Sequence, residues 1–341
     1  MAYISFEPSG HFNATGYTGD GSTQSITGVG FQPDMNFVKS RAVQNWGCVD
    51  AIRGVGEAIH PNLTLAEGSA PDGLTAFNAD GFSVGTDTTW NGSTVAYASY
   101  NWKAGTTTAL SGGTITPTAQ SINTTSGIAI IKYTGNDTAG ATIPHGLGAV
   151  PKMIIIKNLI SANNWVVYHE ALGNTKFLEL NTTAAAATAT TAFNDTSPTS
   201  SVFSVGSSGG VNSGDKAMLA YCFAEKKGYS KFGSYTGNGY VDGAFVYTGF
   251  RPAFFMIKKT NATSDWYLWD NKRLGYNVAN YSLSPNATFA KNTTVAVDLV
   301  SNGAKLRSLH TEQNGSGSTY IYAAFAEFPV VSSNDIPGTA R

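Results

Sequence analysis

The chain has 341 residues, with 21 Lys and Arg against 22 Asp and Glu, giving a formal net charge of −1. That balance excludes a broad basic face for nucleic acid and an acidic tail, and 42% apolar residues exclude a disordered chain. Only 13% of residues are charged, while Gly numbers 38 and aromatics reach 12%, a composition that favours strands and turns over helices.

Residues 1–11 form an N-terminal segment with no basic stretch and no long apolar run, so no signal peptide is expected. The longest apolar stretches, such as Ala217 to Ala224, are too short to cross a bilayer as a helix, and membrane insertion is not expected. Cys48 and Cys222 are the only cysteines. They are read as small buried hydrophobes, with no disulfide framework or cysteine metal site.

From Phe12 onward an ordered set of landmarks begins, and it occurs three times. Tyr17-Thr18-Gly19, Tyr133-Thr134-Gly135 and Tyr235-Thr236-Gly237 open the copies. A turn ending in Pro33, Pro151 or Pro252 follows, then a strand-like run closing on Lys39, Lys157 or Lys258. Next come Trp46, Trp165 and Trp266, and four residues later Asp50, His169 and Asp270. Each copy ends in a Tyr- and Ala-rich strand, Val95 to Tyr100, Met218 to Ala224, and Tyr320 to Ala326. Copies of about 100 residues are too long for a solenoid repeat and match a small β domain.

The predicted elements are short alternating strands separated by Asn-Gly and Gly-Asn turns, as in antiparallel sandwiches. The expected fold is therefore all-β: three tandem antiparallel β-sandwich domains over 12–105, 128–228 and 229–331. The Thr-, Ser- and Gly-rich stretch 106–127 reads as a linker, and 332–341 as a polar C-terminal tail. Ala184 to Ala189 reads as a loop or short edge turn, because Thr residues interrupt and bracket it. Asn-x-Ser/Thr triplets are frequent, and this composition produces them by chance.

Catalytic signatures are sparse. There is no His-x-x-x-His, Cys-x-x-Cys, phosphate-binding loop or nucleophile elbow. His11, His60, His145, His169 and His310 are scattered and read as surface or capping residues. No catalytic residue, cofactor or metal is assigned, and the chain is read as a non-enzyme. Asp50 with Arg53, and Asp270 with Arg273, read as local ion pairs, since a catalytic acid is not expected to alternate with His169 between copies. The aromatics are the remaining signal. Trp165 to Tyr168 and Trp266 to Trp269 alternate along strands, so one face would enter the core and the other could stack on sugars. Trp165, Tyr168, Trp266 and Trp269 are the candidate glycan contacts, with core filling as the rival role.

These landmarks together resemble a family of structural proteins of tailed bacteriophages, especially marine and cyanobacterial ones. The carrying stretches are Tyr17 to Gly21 through Gly30 to Asp34, Ile143 to Gly148, Tyr221 to Gly233 and Tyr247 to Phe254. The similarity runs from about Phe12 to Phe328. The resemblance implies lectin-like, jelly-roll sandwiches in a virion protein made in the host cytoplasm. It points to a tail or tail-fibre protein that contacts other virion proteins and host surface glycans, and to a homo-oligomer, with no nucleic acid partner. A capsid decoration or head-fibre protein is the alternative, and a polysaccharide depolymerase a third reading. The family supplies no catalytic residues.

Overall fold

The computed structural model describes Ile4 and residues 6–327. The tail expected over 332–341, and the end of the third copy at 328–331, lie outside the described residues. The described residues are all-β, with several antiparallel sheets and helices of a single turn.

One sheet order occurs three times. In the first unit, strand Phe12–Thr18 pairs with Ala96–Trp102, which pairs with Met35–Ser40, which pairs with Trp46–Asp50. In the second, Ile128–Thr134, Ala217–Ala224, Pro151–Asn158 and Val166–His169 follow the same order. Ser230–Thr236, Thr319–Ala326, Pro252–Lys259 and Trp266–Asp270 do so in the third. Each four-strand set has a smaller sheet across from it, built on Gly81–Val84, Val202–Val205 or Gly303–Leu306.

The Tyr-Thr-Gly triplets staple the two layers together. Tyr17, Tyr133 and Tyr235 donate their hydroxyls to the carbonyls of Trp90, Val211 and Gln313. The next residue, Asn91, Asn212 or Asn314, accepts from the backbone just beyond the triplet. The glycine is needed for closeness: a Cβ at Gly135 would lie 2.2 Å from the Ser213 carbonyl oxygen.

Four apolar clusters organise the interior. Three are outer cores, each between the two layers of one unit. The fourth is central and draws on all three units. Trp102, Phe223 and Phe325 hold equivalent register positions, opposite Met35, Met153 and Phe254. They form a closed triangle, with ring centroids 6.4, 5.7 and 5.6 Å apart. The units are thus not strung in a row. The inner faces of their main sheets meet around one shared aromatic core, so strands Trp46–Asp50, Val166–His169 and Trp266–Asp270 are buried on both faces.

The stretch read as a linker takes part in the fold. Ala119–Asn123 pairs with Ile128–Thr134 at the edge of the second main sheet. Thr106 bridges to Ile122, and Ser121 donates to Asp34 of the first unit. Residues 187–188 form a short edge strand, and a single helical turn follows at Thr190–Phe193.

Candidate functional site

The four aromatic residues assigned to glycan contact are all buried. Trp165 is 0% exposed, Tyr168 3%, Trp266 1% and Trp269 0%. Trp165 and Trp266 face the central core, whereas Tyr168 and Trp269 face the outer cores. The side chains do alternate along these strands, but both faces are interior, so none of the four can stack on a sugar.

What Trp165 and Trp266 do instead is lock neighbouring units together. Trp165 donates its indole N–H to the carbonyls of His60 and Leu63 in the first unit, at 3.2 and 3.1 Å. Trp266 donates to Glu179 of the second unit at 3.0 Å, and Trp46 to Ser284 of the third at 2.9 Å. The donors run second to first, third to second and first to third, which closes a ring of three equivalent interfaces.

The lysine that ends each main strand takes the same path. Lys157 reaches the Thr64 carbonyl, Lys258 reaches Thr183, and Lys39 reaches Thr288. Each ammonium also donates to carbonyls of its own unit. Burial lowers all three from the usual lysine value to about 8.

The receiving loop carries one of the Asn-x-Thr triplets that composition alone makes common. Asn62-Leu63-Thr64, Asn181-Thr182-Thr183 and Asn286-Ala287-Thr288 are the Asn-x-Thr triplets at equivalent places. Each Asn side chain accepts from the backbone N–H of its own unit's Trp, at 2.8–2.9 Å. Each Thr carbonyl receives the neighbouring unit's lysine. The signal was the recurrence of three such triplets beyond the three tryptophans, not the triplet itself.

The alternation of Asp50, His169 and Asp270 also has its cause here. Tyr221 of the second unit donates to Asp50 at 2.7 Å, and Tyr100 of the first donates to Asp270 at 2.6 Å. Arg53 and Arg273 pair with these carboxylates locally, as expected. Burial pushes the Asp270 carboxyl up, but Arg273 and the Tyr100 hydroxyl outweigh it and hold it below the ordinary value. At the third interface the position equivalent to Tyr100 and Tyr221 is Ala323, and that equivalent to the arginines is Leu172. His169 then accepts from the Ala171 N–H through Nδ1 and donates from Nε2 to the Tyr322 carbonyl at 3.1 Å. Burial lowers it to about 4, so it is neutral.

The Cys48 thiol lies 3.2 Å from the Tyr221 hydroxyl, and burial pushes it up to about 12. Cys222 is also buried and unpaired in a disulfide. Among the described residues, no group of three or more His, Cys, Asp and Glu side chains is placed to hold a metal. The central core encloses an apolar cavity of about 30 Å³ beside Trp102, Phe223 and Phe325, room for one water and without polar partners for it.

Solvent reaches the ring through surface grooves along the interfaces. One, of about 500 Å³, runs between the second and third units past Lys176, Ala186, Thr260, Asn261 and Thr319. A second, of about 370 Å³, lies between the first and third units and is lined by Arg41, Ala42, Thr94, Val95, Ala96 and Lys291. The two are equivalent. Arg41 and Thr260 both lie two residues past the interface lysine, and Ala96 and Thr319 both precede the equivalent Tyr97 and Tyr320.

A family model described as a domain of unknown function, DUF7483, matches residues 7–329, and the chain belongs to that family. No curated protein matches, and no solved structure matches. Among the described residues, no helix is long and apolar enough to cross a membrane.

Proposed function

We propose that this DUF7483 protein is a non-enzymatic virion protein of a tailed phage, carried on the tail or its fibre, where it contacts other virion proteins and host surface glycans. The observation that carries this reading is the closed ring of three equivalent interfaces. Phage fibres are commonly threefold, and a ring of three lectin-like, jelly-roll sandwiches gives one chain a matching symmetry. The polar residues that recur between copies are occupied with interlocking, which fits a rigid adhesion or assembly module. Rigid multiple faces also suit weak contacts that gain through effective concentration.

A depolymerase would need two carboxylates flanking an open cleft. Asp50 and Asp270 are buried and bound to Arg53 and Arg273, which leaves that reading without a pair to carry it. The test is immunogold labelling of intact virions with antibody against the purified chain. Gold at the tail or fibre tips is the expected result. Gold on the head would move the protein to a decoration role, and no particle labelling would overturn the reading. A parallel incubation with host polysaccharide should release no reducing ends.

A further inference from the structure

We propose that the groove between the first and third units binds an anionic group, the carboxylate of an acidic saccharide. This deepens the glycan-contact reading above and rests on it for the saccharide, whereas the anion site stands on the groove itself.

The groove brings two cations together from different units. Arg41 projects from the loop after the first unit's interface lysine, and Lys291 comes from the third unit. Both sit against one ring: the Arg41 guanidinium lies 5.6 Å from the Tyr281 centroid and the Lys291 ammonium 3.9 Å. Two positive charges on one aromatic ring repel each other, and the ring quadrupole offsets this only in part. Among the described residues, neither cation has a carboxylate within ion-pair distance. Elsewhere surface cations find such partners, as Lys305 and Arg307 do with Asp242. A bound anion would supply the missing countercharge, and the planar guanidinium is suited to a carboxylate or phosphate.

The equivalent groove between the second and third units is the internal control. There Thr260 replaces Arg41, and its walls carry one cation, Lys176, with hydroxyls and an amide. The place in the repeat is shared between the two grooves, and the paired positive charge belongs to one of them. A requirement of the fold would place the same charge in both.

The whole chain is titrated at low salt with three probes: a galacturonate oligosaccharide, a neutral galactose oligosaccharide of equal length, and inorganic phosphate. Binding is read by calorimetry and by amide chemical shifts. The galacturonate is expected to bind, to weaken as salt rises, and to shift amides near Arg41 and Lys291. The neutral sugar should leave them unmoved. Lys291 is exposed, so Lys291→Ala should fold normally and weaken binding by about tenfold, the equivalent of roughly 1.4 kcal/mol. Arg41→Gln should do the same independently. Phosphate binding as tight as the uronate keeps the anion site and reassigns the ligand to phosphate. No binding by either anion, or binding unmoved by both substitutions, overturns the proposal. Neither result touches virion location, which the labelling experiment reads separately.

Discussion

Tyr100 donates its hydroxyl to Asp270 at 2.6 Å across 170 residues of chain, joining the first unit to the third. The same bond joins Tyr221 to Asp50, and the remaining interface replaces the whole set. His169, Leu172 and Ala323 stand where Asp, Arg and Tyr stand elsewhere.

That substitution as a set can be tested. His169→Asp alone buries a carboxylate with no arginine and no tyrosine, and should cost about 3 kcal/mol or more in chemical denaturation. Adding Leu172→Arg and Ala323→Tyr should recover most of the loss, because the three groups then form the constellation of the other interfaces. A triple variant no more stable than the single one would mean that these positions act independently.

Acid should weaken the ring at the His169 interface. The folded-state value of about 4 lies below the ordinary value of 6.5, so between these limits the unfolded chain binds the proton and the folded chain does not. Stability is therefore full above pH 6.5 and falls as pH drops towards 4, by up to about 3 kcal/mol for this group. Protonation at Nδ1 would also set two donors against each other, because the Ala171 N–H already points there. Denaturation midpoints across that range should slope in the native chain. In His169→Gln the slope should be shallower, with the remainder due to His11 and His145, which burial also lowers. Equal slopes would contradict the assignment.

All six tryptophans are buried, none more than 3% exposed. Their fluorescence should be blue-shifted and poorly quenched by acrylamide, and it should not respond to added saccharide. Efficient quenching of the native chain would restore the stacking role that the burial removes.

Gly135→Ala places a methyl 2.2 Å from the Ser213 carbonyl. The strand end must move, and a loss of about 2–4 kcal/mol in unfolding free energy is expected. Gly10 has nothing within 4 Å of such a methyl, so Gly10→Ala should change stability by less than about 0.5 kcal/mol. Similar losses in both would show that the Tyr-Thr-Gly glycine is not special.

Much of this was legible in the sequence. The order Tyr-Thr-Gly, Lys, Trp, Asp marked the repeated strands, and the spacing of Asp50 to Arg53 gave a real ion pair. The role of Trp165 and Trp266 was not legible, because period-two alternation only says that a strand has two different faces. It cannot say that the second face meets another unit instead of water. The Asn62, Asn181 and Asn286 triplets were hidden for a different reason. Asn and Thr are common throughout the chain, and only the carbonyl acceptors at Thr64, Thr183 and Thr288 distinguish these three from the rest. Arg41 and Lys291 are far apart in sequence and meet only because the ring closes.

Placing all three seats on one polypeptide has an evolutionary consequence. In an assembly of identical subunits, a substitution at one seam appears at every seam, so a change that helps one and harms two is lost. Here each seam mutates by itself. His169 with Ala323 marks one seam already gone its own way, and Arg41 beside Lys291 pairs positive charge at a second seam where the equivalent groove carries Lys176 alone.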